Sequence, residues 1–250
     1  MTSKSTILVT GGSRGIGAAC VKLLARNGYD VAINYTRSSA EAEKLADDVK
    51  AMGRRSIAVK ADVGSEAEVT DMFSQIDEAM PPLAGLVNNA GVLFEKAMLE
   101  EFSAERINET LRVNVTGSFL CAREAVRRMS TDRGGKGGVI VNLSSAAARI
   151  GSPNEFIDYA ASKGAIDAMT LGLSKEVAGQ GIRVNAVRPG LIHTGIHASS
   201  GQPDRVERLQ GQVPMGRGGS AEEVAESIVW LLSPAASYVT GVLLDVTGGR

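Results

Sequence analysis

The chain has 250 residues, 44% of them apolar and 22% charged, enough to bury a sizeable core and unlike a disordered segment, and one α/β domain over 1–250 is expected. A formal charge of −1 excludes the broad basic field that gathers a protein onto nucleic acid or anionic membranes. No apolar run approaches the roughly 18 to 20 residues of a spanning helix, so a cytoplasmic protein is expected, with neither membrane nor nucleic acid as partner.

A first strand, Thr6 to Thr10, runs into Thr10-Gly11-Gly12-Ser13-Arg14-Gly15-Ile16-Gly17 and then into a helix whose stripe is Ile16, Ala19, Cys20, Leu23 and Leu24. A strand turning sharply into a helix on glycines lets the backbone approach a pyrophosphate and points free helix N–H groups at it. The second strand, Val31 to Tyr35, ends in Asn34-Tyr35-Thr36-Arg37. A protein that holds NAD places a carboxylate there for the ribose 2′-hydroxyl, but the nearest acid, Asp30, lies at the other end of the strand. Arg14 and Arg37 can instead meet a 2′-phosphate, which points to NADP, with NAD as the less favoured cofactor.

Gly53 closes the next helix ahead of a third strand, Ser56 to Lys60, and Ser65 caps another that begins Glu66-Ala67-Glu68. A fourth strand covers Leu86 to Asn88, and a long helix carrying Asn114 and Cys121 follows. Cys20 and Cys121 are the only cysteines; with no partner spacing for a disulfide or a zinc site, both read as buried thiols. Arg127, Arg128, Arg133 and Lys136, around the glycines 134–138, read as a solvated helix end and turn.

The fifth strand, Val139 to Leu143, delivers Ser144 and Ser145 to the edge of the sheet where open α/β folds bind ligands. Tyr159 and Lys163 then stand four apart on one face of a small-residue helix. A phenol with a pKa near 10 is a poor acid–base group at neutral pH unless a cation stabilises its anion, and Lys163 is placed to do so. Strands at Arg183 to Val187 and Val242 to Asp245 complete seven, and strand-helix-strand repetition predicts a parallel sheet covered on both faces. Between these last two, Gly190 to about Gly219 reads as a long loop with a short helix, a lid over the site. His193 and His197 lie there without a third ligand nearby in sequence, so no metal site is expected.

With these residues the chain resembles the short-chain dehydrogenase/reductase family over essentially its whole length. The shared motifs are the T-G-x-x-x-G-x-G turn, Asp62-Val63, Asn88-Asn89-Ala90-Gly91, Asn114, Ser145, the Y-x-x-x-K pair, and Pro189-Gly190 followed by Thr194. The resemblance implies a single Rossmann-like doubly wound domain with a seven-stranded sheet, assembled as a homotetramer. It implies cofactor contacts from Gly11, Ser13, Arg14, Gly15, Ile16, Gly17, Tyr35, Arg37, Asp62, Val63, Asn89, Ala90, Gly91, Tyr159, Lys163, Pro189, Gly190, Ile192 and Thr194. Asp62 and Val63 would frame the adenine, and Ile192 and Thr194 would hold the nicotinamide carboxamide. Ser145 would bind a carbonyl, Tyr159 transfer a proton, Lys163 order the ribose and lower the Tyr159 pKa, and Asn114 hold a water that links Lys163 to solvent.

The expected activity is NADP(H)-dependent interconversion of a carbonyl and an alcohol. Resemblance extends to 3-oxoacyl-carrier-protein reductases, although Gln180 stands where those commonly present a basic residue. It also extends to glucose-type sugar dehydrogenases, through Ile33-Asn34-Tyr35. A regulator that senses NADP without reacting is the non-enzymatic alternative. Pocket walls are expected from Ala147, Arg149, Asn154, Phe156, His193 and the vicinity of Ile196, around a small-molecule substrate.

Overall fold

The computed structural model describes residues 5–250. Its strands are β1 (Thr6–Val9), β2 (Asp30–Tyr35), β3 (Ser56–Lys60), β4 (Leu83–Asn88), β5 (Gly138–Leu143), β6 (Ile182–Pro189), β7 (Ile192–His193), β8 (Gly219–Ser220) and β9 (Leu243–Val246). Seven of them form one sheet in the order β3-β2-β1-β4-β5-β6-β9, with every pairing parallel. The strand order reverses between β1 and β4, and a crevice opens at such a point beyond the carboxyl ends of the strands.

The helices are α1 (Gly15–Arg26), α2 (Ser39–Ala51), α3 (Glu66–Ala79), α4 (Ala104–Leu111), α5 (Gly117–Met129), α6 (Ala147–Ile150), α7 (Ile157–Glu176), α8 (Ile196–Ser199), α9 (Arg205–Leu209) and α10 (Ala221–Leu232). Alternation along the strands sorts the core into two layers. Ile7 and Val9 face one way, with Val31, Ile33 and Val141, against α1, α2 and α10; Leu8, Ala32 and Ile140 face the other way, against α3, α5 and α7. Burial on both faces explains why these strands read as continuous apolar runs. The α1 stripe behaves as its spacing predicts, with Ala19, Cys20 and Leu24 buried, and Cys121 is buried as well. Burial pushes both thiols up to about 12. Ser65 caps α3 by accepting from the Glu68 N–H at 3.5 Å.

Three features differ from the sequence reading. Strand β4 starts at Leu83, three residues earlier, because Leu83 and Gly85 pair with β1. The long helix around Asn114 is two helices joined by a π-turn over Arg112–Thr116. The segment 190–219, expected as a loop with one short helix, is more ordered: it holds α8 and α9, and β7 pairs in parallel with β8 as a separate two-stranded sheet. Among the described residues, no helix is long and apolar enough to cross a membrane.

Candidate active site

The turn after β1 is built around buried polar side chains. Thr10 Oγ1 accepts from the N–H groups of Asn89 (2.9 Å) and Ala90 (3.0 Å), while Asn89 Nδ2 donates to the carbonyls of Thr10 (2.8 Å) and Gly11 (3.0 Å). Asn34 holds the turn from the other side. Its Oδ1 accepts from the Gly11 N–H at 3.1 Å, and its Nδ2 donates to the Ala61 carbonyl at 2.9 Å. Gly11 and Gly15 sit at φ of +58° and +55°, which side chains rarely adopt. A Cβ on Gly17 would lie 2.5 Å from the Gly11 carbonyl oxygen, so the helix can start this close to the turn only on glycine.

Arg14 is the N-cap residue of α1, yet its side chain makes no capping bond, and the first turn, with Ile16, carries no acid. These N–H groups and the positive helix end therefore face the crevice beside half-buried Ser13. Arg14 and Arg37 are both exposed, and neither side chain forms a hydrogen bond or ion pair within the described chain; Arg37 acts through its field on Glu109. Tyr35 shares a hydrogen bond with Ser39 Oγ at 3.1 Å. Asp30 is buried at the far end of β2 and accepts from the Arg55 N–H, which removes it from the crevice. Free guanidinium groups, an uncapped helix start and a glycine turn form a donor set that fits a dinucleotide phosphate, and no carboxylate opposes a 2′-phosphate at the end of β2.

Asp62 lies just past β3, where its Oδ1 accepts from the Gly64 N–H at 2.9 Å and its Oδ2 pairs with Arg112 Nη2 at 2.8 Å. Burial pulls this carboxyl upward, but Arg112 and the Gly64 amide pull harder and hold it below the usual aspartate value. Val63 is buried against Gly117 at the start of α5.

Past the fifth strand the two serines separate. Ser144 is buried, with its Oγ donating to the Lys163 carbonyl at 3.1 Å, whereas Ser145 accepts from the Ala147 N–H and hydrogen-bonds the Tyr159 side chain. Ser145 is therefore the hydroxyl presented to Tyr159. Lys163 is buried, 5.5 Å from the centre of the Tyr159 ring, and its Nζ donates to the Leu143 carbonyl at 2.6 Å. Asn114 donates to the Val92 carbonyl and Ser162 Oγ and accepts from the Val92 N–H at 2.8 Å. A Cβ on Gly91 would come within 3.2 Å of Asn114 Oδ1 and 3.8 Å of Lys163 Nζ, so these three converge at one point.

Burial dominates the electrostatics of the pair. Burial raises the Tyr159 pKa, the Ser145 hydrogen bond lowering it by less, and burial lowers Lys163 to about 8, against the field of Asp167. With its pKa raised by burial, the phenol is protonated at neutral pH.

Pro189 ends β6, and Gly190 follows it tightly: a Cβ there would meet Thr247 Cα at 2.8 Å. Ile192 is buried in β7, and Thr194 lies across the crevice from the glycine turn, 3.7 Å from where a Cβ on Gly15 would stand.

The residues expected to wall the pocket differ in exposure and in partners. Phe156 is buried with Arg205 stacked 5.1 Å above it, and Arg149 reaches the Arg250 carbonyl and Asp245. His193 is exposed 3.8 Å from Glu207, and His197 Nε2 lies 3.0 Å from the Ile192 carbonyl. Asn154 is exposed with φ of +63°, whereas Ala147 is buried and Ile196 half-buried. Arg128 is not a simple solvated charge: it pairs with Asp77 and Glu124 and lies 4.9 Å over Phe73.

Among the ion pairs that escaped the sequence reading, two flank the start of α7. Arg106 grips Asp158, the residue before Tyr159, through two bonds of 2.8 and 3.2 Å, and also donates to the Glu95 carbonyl. Arg205 of α9 grips Glu155 at 2.7 and 2.6 Å. Partners 52 and 50 residues apart leave no local signal. Asn34 was more legible, as an amide inside an apolar strand. A groove of about 1060 Å³ opens at the opposite edge of the sheet, lined by Tyr29, Gly138, Arg183, Leu232 and Tyr238, remote from this constellation.

Comparison with known proteins agrees with the geometry. The family profile described as "Enoyl-(Acyl carrier protein) reductase" matches residues 11–250. The chain is 57% identical, over 97% of its length and 98% of the relative's, to an uncharacterized oxidoreductase, YgfF, of Escherichia coli strain K12. It is 37% identical, over 97% and 92%, to an NADPH-dependent aldehyde reductase-like protein, chloroplastic, of Arabidopsis thaliana. A 3-ketoacyl-(acyl-carrier-protein) reductase from Brucella melitensis, solved in complex with NADH, superposes with a TM-score of 0.91 at 32% identity, covering 98% of each chain.

Proposed function

The chain belongs to the short-chain dehydrogenase/reductase family, and on that footing we propose that it is an NADP(H)-dependent oxidoreductase that interconverts a carbonyl and an alcohol, with Tyr159 as proton donor and acceptor. The observation that carries this reading is the convergence of Ser145 and Lys163 on Tyr159 at the carboxyl edge of the sheet, beside the glycine turn. When bound, the nicotinamide supplies a hydride to the carbonyl carbon or accepts one from the alcohol.

Everything else falls to side chains. Ser145 holds the substrate oxygen by a hydrogen bond, Tyr159 delivers its proton to that oxygen, and Lys163 orders the ribose and attracts the phenolate that remains. Asn114, a neighbour of Gly91 and Lys163, fixes the loop after β4 and holds the water through which Lys163 exchanges protons with solvent. Asp62 and Val63 frame the adenine, Asn89 and Ala90 line the crevice, and Ile192 and Thr194 hold the carboxamide. Arg14 and Arg37 take the 2′-phosphate, supported by their freedom from other partners and by the absence of an acid at the end of β2. A regulator that only sensed the nucleotide would have no use for Ser145 and Asn114 in these positions.

A second substrate reading, a 3-oxoacyl thioester on a carrier protein, draws support from the likeness to the Brucella enzyme. Against it stands Gln180, uncharged in the turn before β6. Assembly as a homotetramer is part of the proposal. Exposed Phe119 on α5 and Leu171 on α7 give it an apolar surface, and light scattering should return four chain masses rather than one.

Oxidation of NADPH and NADH in parallel with aldehydes, diketones, sugars and acyl thioesters tests the function. We expect turnover of at least one carbonyl class with NADPH preferred, and a reversal of that preference in Arg37→Asp. An unchanged NADPH-to-NADH ratio of kcat/KM in the variant would remove Arg37 from the phosphate site, and inertness toward every class would remove the activity.

A further inference from the structure

Arg112 falls outside every motif of the glycine turn and of the Tyr159 helix, yet it pairs with two carboxylates beside the crevice. It opens the π-turn between α4 and α5, and its carbonyl accepts from the Gly117 N–H in the wide hydrogen bond of that turn. Its guanidinium reaches Asp62 Oδ2 at 2.8 Å and also binds Glu109, with Nε–Oε2 at 2.7 Å and Nη2–Oε1 at 2.8 Å. It lies over the segment after β3. A Cβ on Gly64 would stand 2.8 Å from Cζ, so a side chain there would push the guanidinium from this place. Gly117 repeats the close approach one turn later, since a Cβ there would meet Val63 Cγ2 at 2.8 Å. Asp62, Val63 and Gly64 are thus docked onto the π-turn at two points of close approach. A π-turn is uncommon and recurs at functional sites.

We propose that Arg112 is a positioning residue for the cofactor's adenine, acting through Asp62. The inference rests on the placement of adenine against Asp62 and Val63 given above. An ionised carboxylate has about four acceptor positions, of which the Gly64 amide and Arg112 occupy one each. The remaining lone pairs are aimed by these two anchors, and the adenine 6-amino group is the donor of matching chemistry. Arg112 keeps the acceptor ionised and fixes its plane; Glu109 holds Arg112 in turn, within the field of Arg37. The alternative, an ion pair that merely staples α4 to the sheet, would make no distinction among ligands.

The test is equilibrium binding to the full chain, followed by ligand fluorescence, of NADPH, its hypoxanthine analogue and reduced nicotinamide mononucleotide. Loss of one hydrogen bond to a charged group corresponds to about a tenfold change in affinity, so Arg112→Met should weaken NADPH by about tenfold with kcat retained at saturation. Affinity for the mononucleotide, which has no adenine, should be unchanged. The hypoxanthine analogue, which presents an oxygen in place of the amine, should bind the parent and the variant alike. Arg112→Lys, which keeps the charge and loses the fork, should fall between, and it carries the test if the methionine variant does not fold. Equal weakening of all three ligands would overturn the proposal in favour of a structural staple, as would unchanged NADPH affinity. Asp62→Ala locates the failure. If it weakens NADPH while Arg112→Met does not, the positioning role alone falls; if neither weakens it, the adenine placement falls with it.

Discussion

Burial holds the Tyr159 phenol in its protonated form, and the direction of that shift determines how the reaction answers to pH. Reduction consumes the phenol proton, so it proceeds wherever Tyr159 is protonated, which here includes neutral pH. Oxidation requires the phenolate, whose population rises tenfold per pH unit below the pKa. Between pH 6 and 7, below the value of about 8 at which Lys163 loses its charge, kcat/KM for alcohol oxidation should climb while that for carbonyl reduction stays level; the opposite trend would mean that Tyr159 ionises below neutrality. At this scale the sequence was informative where chemistry is local. Four-residue spacing put Tyr159 and Lys163 on one helix face, and the end of β5 supplied two serines. Which serine faces the phenol depended on how the chain turns after Leu143, with Ser144 directed to the Lys163 carbonyl and Ser145 to Tyr159. The ionisation of the pair was not legible at all, because desolvation is a property of the packed site.

The segment 190–219, proposed as a lid, and α7 are tied together as elements. Arg205 of α9 holds Glu155, whose carbonyl accepts from the Ala97 N–H; the neighbouring Glu95 carbonyl accepts from Arg106, and Arg106 holds Asp158 at the start of α7. Both ion pairs are largely withdrawn from water, and removing one partner of such a pair leaves the other charge stranded. Arg205→Met should therefore loosen the lid: limited proteolysis should cut faster within residues 195–218, and substrate KM should rise several-fold with a smaller change in kcat. Cleavage at the parent rate would show that Arg205 does not hold the lid. The seven main strands were readable from apolar runs between helical patterns, but β7 and β8 were not, since two residues carry no period. The π-turn was equally hidden, because it widens the helix over only five residues while the residues on either side keep ordinary helical spacing.

Across the whole molecule the sheet separates two apolar layers and gathers the chemistry at one edge. Thr10, Asn34, Asn89, Ser145 and the loop carrying Asp62 all lie at the carboxyl ends of strands, and α7 lays Tyr159 and Lys163 over the same edge. Fold class was legible because parallel strands buried on both faces leave a distinctive pattern. The substrate was not, because the lid and the loop before α7 fold through contacts between residues far apart in the chain.

The central claim is that Tyr159 moves the proton, and the decisive comparison is Tyr159→Phe against the parent, with kcat and the NADPH dissociation constant measured on the same preparation. A positioned acid–base group contributes on the order of 10²- to 10⁴-fold. We predict a loss of kcat at least that large, with NADPH affinity within a factor of about two. Turnover close to that of the parent, with NADPH still bound, would contradict the account.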